Sequence, residues 1–198
     1  MKLSADIIRT NRQKLLNAFP EELKQDVEIV ADFLLDKNFD MHPTMEEKII
    51  LQGQQLTIPG RVYFDSPNET TGSTLTTIQQ TILNCIYLRH HSGFVRQERL
   101  EKLISNIDDY YVIPYIFQLL GEYVIEILFV LDKHVNDQTI GNYTKFIAEN
   151  KRYWQQTESR MISYWNEHYR RPKYRNLNGY IGKQIVDKLK KAHTATHK

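Results

Sequence analysis

Apolar positions recur along most of the chain at three- and four-residue steps, the period of an amphipathic helix. Ser4 is placed to cap a first helix carrying Ile8 and Leu15, with Phe19 beyond it and Pro20 as its stop. Proline suits a first helical turn, so Pro20 also opens a second helix. Leu23, Val27, Val30, Ala31 and Leu34 form one stripe along it, and Asn38 is its expected end. Leu75, Ile78, Ile82, Cys85, Ile86 and Arg89 predict a further helix, which Gly93 closes or follows. Helices are then expected over 94–104, 112–120, 124–135 and 139–150. A long one carries the aromatic stripe Tyr153, Trp154, Thr157, Met161, Tyr164, Trp165 and His168 and ends at Pro172. The last is set by Ile181, Ile185 and Leu189, before a polar tail from Ala192 to Lys198 that is expected to fray.

The period changes between Phe39 and Ser73. Ile49-Ile50-Leu51 and Leu56-Thr57-Ile58 flank Gly53 and read as a small β-hairpin near residues 48–64. Pro59 has no amide hydrogen to donate, so it should end a strand. Ser66-Pro67-Asn68 and Thr70-Thr71-Gly72-Ser73 have loop composition. The expected fold class is all-α with this minor hairpin. Helices joined by short turns must pack side by side, as a bundle or an α-solenoid. A chain of 198 residues suits one domain, with 1–72, 73–150 and 151–198 as its successive parts.

Composition adds compartment and charge. Cys85 is the single cysteine, which excludes an internal disulfide and points to the reducing cytoplasm. The start of the chain meets charge before any apolar run, unlike a signal peptide. The most apolar stretch, Val112 to Leu131, is interrupted by Pro114, Gln118, Gly121, Glu122 and Glu126, so no membrane partner is expected. Net charge is +2 but unevenly spread: Glu21–Glu47 holds nine acidic and two basic residues, and Asn166–Lys198 nine basic and two acidic. Those ends can attract each other within the fold or between copies, which makes self-association one expectation.

At His91-Ser92-Gly93-Phe94-Val95-Arg96-Gln97-Glu98-Arg99-Leu100 the chain resembles a HEAT-like helical repeat, in which a Gly turn precedes Val-Arg at a helix start. Val112–Leu120 looks like the inner helix of that pair, and Gly121-Glu122-Tyr123-Val124 like the turn into a next pair, spanning about residues 75–135 in all. The resemblance implies an irregular stack of helix pairs sharing one core. It implies that Arg96 reaches across to carbonyls or a carboxylate of a neighbouring repeat. HEAT-like folds serve scaffolds, importers and a family of alkylpurine DNA glycosylases, so the resemblance implies no single activity.

Candidate chemistry is sparse. His90-His91 are adjacent and point apart on a helix, a poor spacing for one ion, and no HExxH or CxxC occurs. Cys85 falls mid-helix on the apolar face, where a thiol is structural. Asp108-Asp109 fall in a turn. Glu122 and Glu126, spaced as one helical turn, suit binding of a hard cation, sharing of a proton, or ion pairs with Arg96 or Arg99 in the neighbouring repeat. Tyr169-Arg170-Arg171-Pro172-Lys173-Tyr174-Arg175 interleaves cations with rings, which suits phosphate contact with base stacking, or a plain surface corner. The expected function is a non-catalytic protein-interaction or scaffold module. It has no catalytic residue, metal or cofactor, and an unidentified protein is its main partner. The alternative is a nucleic-acid-binding protein, a glycosylase-type enzyme included, using Arg170, Arg171, Lys173 and Arg175.

Overall fold

The computed structural model describes residues 4–35, 46–64, 74–104, 109–171 and 173–196. The expected stops at Asn38 and Pro172, the loops over 66–73, and Asp108 lie outside them. The chain divides into two compact units, Met1–Leu103 and Ile104–Lys198. Among the described residues it is all-α apart from one two-stranded hairpin and an isolated bridge between Val62 and His90. Among the described residues no helix is long and apolar enough to cross a membrane.

In the N-terminal unit, α1 (Ala5–Leu16) starts at Ser4, whose Oγ accepts from the Ile7 amide at 3.3 Å. The oxygen satisfies one of the donors a helix start leaves open. Helix α2 (Lys24–Leu35) follows a short 3-10 turn after Pro20 and buries Val27, Val30, Ala31 and Leu34, the stripe its spacing predicts. Full burial of such side chains is worth about 1.5–3 kcal/mol each, which fixes the face α2 turns inward. Helix α3 (Thr77–Tyr87) opens with a capping box between Thr76 and Gln79. Gln79 also donates to Asp26 Oδ1 of α2 at 2.8 Å, so one side chain caps a helix and ties it to its neighbour. Ile78 departs from the expected face and is 46% exposed.

Strands β1 (Glu47–Leu51) and β2 (Gln54–Ile58) pair antiparallel, Leu51 opposite Gln54. Both turn residues have positive φ, 51° at Gln52 and 81° at Gly53, the geometry a two-residue hairpin turn requires. The alternation buries Ile49, Leu51, Leu56 and Ile58 on one side. The Thr57 amide donates to the Asn17 carbonyl at 2.8 Å and docks the hairpin on the end of α1. β2 stops before Pro59, as expected. Helix α3 ends at Tyr87, short of Gly93, which is the first residue of α4 (Gly93–Ile104); Val95 is buried within α4, and the break between the two helices lies over 88–92.

The C-terminal unit holds α5 (Ile113–Gln118), α6 (Ile125–His134), α7 (Ile140–Glu149), α8 (Lys151–Tyr164) and α9 (Ile181–Thr196). Pro114 sits in the first turn of α5, where its missing donor costs nothing. Helix α9 packs on α6, α7 and α8. Phe117, Phe146 and Tyr153 form an aromatic centre, with Phe117 and Phe146 edge-to-face at 5.0 Å. Two expectations change here. Helix α9 runs on to Thr196, through the segment expected to fray. The long aromatic helix stays α only to Tyr164 and continues as a π-helix over Trp165–Tyr169.

Candidate functional site

The residues singled out for chemistry fall in two places. The first is the turn between α3 and α4. Arg89, Arg96 and Arg99 are all buried there, although charged side chains seldom are. Arg89 donates from Nε to the Pro59 carbonyl at 3.0 Å and from a terminal nitrogen to the Gly60 carbonyl. Arg96 donates to the carbonyls of His90 at 2.7 Å and His91 at 2.8 Å. Arg99 reaches Asn84 Oδ1 at 3.1 Å and stands over the Tyr87 ring at 5.1 Å. These carbonyls lie outside helices and, where buried, need a donor from elsewhere, and a guanidinium supplies several in a fixed fork. Arg96 thus bonds carbonyls five and six residues before it, in the turn that opens its own helix.

His90 completes this turn. The Ser92 amide donates to its Nδ1 at 3.1 Å, so Nδ1 holds a lone pair and Nε2 carries the proton. Nε2 donates to the Phe64 carbonyl at 2.8 Å. Burial, together with the charges of His91 and Arg96, pushes the imidazole pKa below its ordinary value, and the Phe64 carbonyl opposes that. Both nitrogens are committed to the backbone. Among the described residues, no three His, Cys, Asp or Glu side chains converge as metal ligands. Cys85 is buried in α3. The network is a structural clamp: it fixes where the Val62 strand segment crosses the helix end, through Val62–Arg89 and His91–Val62 backbone bonds of 2.8 and 3.0 Å.

The second place lies on the surface of the C-terminal unit. Backbone bonds skip five residues at Arg170 to Trp165 (2.8 Å) and at Tyr174 to Tyr169 (2.9 Å), which widens the helix. The Trp165 indole donates to the Tyr174 carbonyl at 2.9 Å and holds the chain as it leaves the π-helix. Arg170, Arg171, Lys173 and Arg175 are exposed, and none makes an ion pair among the described residues. Arg170 lies over the Trp165 ring at 5.7 Å, and Lys173 over Tyr174 at 5.3 Å.

Rings run on from the cations without a gap. Tyr174 meets Tyr169 at 6.4 Å, Tyr169 meets His168 at 6.4 Å, and His168 meets Tyr164 and Tyr123 at 6.0 and 5.8 Å. Tyr180 stacks on Tyr169 at 5.4 Å from beneath and is fully buried. Tyr169 donates its hydroxyl to the Tyr123 carbonyl, at the start of α6. Burial raises the Tyr169 pKa, the Ile125 amide opposes this, and Glu126, Tyr174 and Tyr123 add to it.

Glu126 lies close enough to act on the Tyr169 hydroxyl of the ring cluster. Glu122 and Glu126 do not share a helix face. Glu122 is extended and buried before α6 begins, and Glu126 is exposed in its first turn. Sequence spacing missed Tyr123 and Tyr180, which join the ring cluster from outside the predicted aromatic stripe. Gly182 was missed as well. A Cβ there would meet the Tyr180 ring at 2.8 Å and Met161 at 2.9 Å, so α8 and α9 close at that point only over glycine. Comparison with known protein families, with curated proteins and with solved structures gives no match.

Proposed function

We propose that this protein is a non-catalytic interaction module, and that the basic–aromatic surface at 164–171 and 173–175 is its contact face. The observation that carries the reading is the exposure of four cations without ion-pair partners beside a continuous run of rings. Elsewhere in this unit Lys183, Lys188 and Lys190 are paired with Asp187, Asp132 and Glu158. Four left unanswered in six residues make a field that draws a polyanion. The HEAT-like resemblance belongs to the same reading. The helix break before Gly93 and the burial of Val95 and Arg96 support it. The lone buried thiol suits the cytoplasm.

A heparin column tests the reading. Wild type should be retained and should elute at higher salt than a variant with Arg170→Gln, Arg171→Gln, Lys173→Gln and Arg175→Gln together. Coincident elution of the two overturns the contact face.

A further inference from the structure

Resting on that contact face, we propose that its ligand is a single-stranded nucleic acid, held by phosphates on the cations and by bases on the rings. Two features of the face separate this ligand from other anions.

The first is the geometry of the rings. Tyr123, Tyr164 and His168 form a three-cornered cluster with centroids 5.8 to 6.0 Å apart, and Tyr164 and His168 are tilted by only 20°. Tyr123 is 46% exposed and His168 is exposed as well. Exposed flat rings hold an unstacked base, because every base has a π-face. A duplex keeps its base faces covered, so it engages the cations and leaves the rings idle. An acidic protein segment likewise offers carboxylates without flat partners.

The second is the order of chemistry along the surface. The ring cluster passes through Tyr169 to Tyr174, with Arg170 over Trp165 and Lys173 over Tyr174 at its far end. A strand crossing the surface meets bases' partners at one end and phosphates' partners at the other. Glu126 and Glu167 are also exposed here, and against four cations they leave the face positive. Tyr180, buried beneath Tyr169, keeps the ring platform from collapsing inward. A rigid platform loses little freedom on binding.

Fluorescence anisotropy on the full chain tests this. The probes are labelled uridine RNA and thymidine DNA of about 15 nucleotides, a duplex of that length, and an abasic strand with the same phosphates. At about 50 mM salt both single strands, or one of them, should bind at least tenfold tighter than the abasic strand, and more tightly than the duplex. At about 200 mM binding should weaken steeply through counterion release. Tyr123→Ala with His168→Ala should weaken single-strand binding by about fivefold or more, the low end of base stacking, with unchanged heparin elution. Equal binding of abasic and base-bearing strands overturns the inference, and so does preference for duplex. Heparin retention that depends on the four cations, with no oligonucleotide bound, overturns the nucleic-acid ligand and leaves the contact face standing. The abasic comparison uses wild type alone, so it decides even where a variant folds poorly.

Discussion

The Arg96 guanidinium holds the His90 carbonyl at 2.7 Å, and with it the turn that joins α3 to α4. The same nitrogen holds the His91 carbonyl, and the side chain is fully buried. Arg96→Ala removes donors that water cannot replace, so two carbonyls lose a charged partner. The expected cost is about 2–4 kcal/mol, as for removal of one member of a buried charged hydrogen-bond set. Arg96→Lys, which keeps the charge and loses the fork, should fall between. Urea denaturation reads both. A midpoint for Arg96→Ala within error of wild type would show that the turn stands without the clamp.

His90 should make stability depend on pH. Its native pKa lies below the ordinary 6.5, so between the two values the unfolded chain binds more protons than the native one. The contribution of this group is complete above 6.5, declines as pH falls through that value towards the native pKa, and changes no further below it. His90→Gln should flatten the urea midpoint across that window compared with wild type. Parallel curves for the two proteins would remove the imidazole from the account.

Two glycines predict opposite signs. Gly182→Ala places a methyl group 2.8 Å from the Tyr180 ring and 2.9 Å from Met161. Overpacking of this kind costs about 1–3 kcal/mol, against about 1 kcal/mol returned by helix propensity. Gly141 lies exposed in the first turn of α7 with nothing within 4 Å of its added Cβ. There the substitution should stabilise by about 0.4–1 kcal/mol. Thermal melts of both variants check the pair, and a shift of the same sign in both contradicts the close approach of α8 and α9.

Cys85 should resist thiol reagents in the folded protein. It is fully buried within α3, so modification must wait for opening of the N-terminal unit. Labelling should speed up across the denaturation transition and stay slow before it. Rapid labelling of native protein would place the thiol at the surface.

The helices were legible in the sequence because burial enforces a period. The α2 stripe, the break before Gly93 and the Gly53 turn each follow from one local rule. The buried arginines were harder, since a charge normally marks solvent. Arg89 nevertheless falls in step with Ile82, Cys85 and Ile86, and that phase held the signal. Glu122 and Glu126 misled because four-residue spacing means a shared face only inside a helix, and α6 begins between them at Ile125. The division after Leu103 leaves no mark in composition. Tyr123 joins His168 through tertiary packing across 45 residues of chain, a relation no local pattern encodes.

The π-helix at Trp165–Tyr169 ends the helical run of α8 with backbone bonds that reach one residue further than α-helical ones. Residues before it, Tyr153, Thr157 and Met161, keep their inward register. Residues after it are offset by the roughly 100° that one residue represents in a helix. Loss of one residue between Trp165 and Tyr169 would let the turn close as α and swing Arg170 and Arg171 around the axis, while the buried Tyr180, Ile185 and Val186 beyond them hold α9 in the core. Which side of the molecule shows its cations is thus a matter of helical phase, a property that a single codon inserted or deleted during evolution is able to reset.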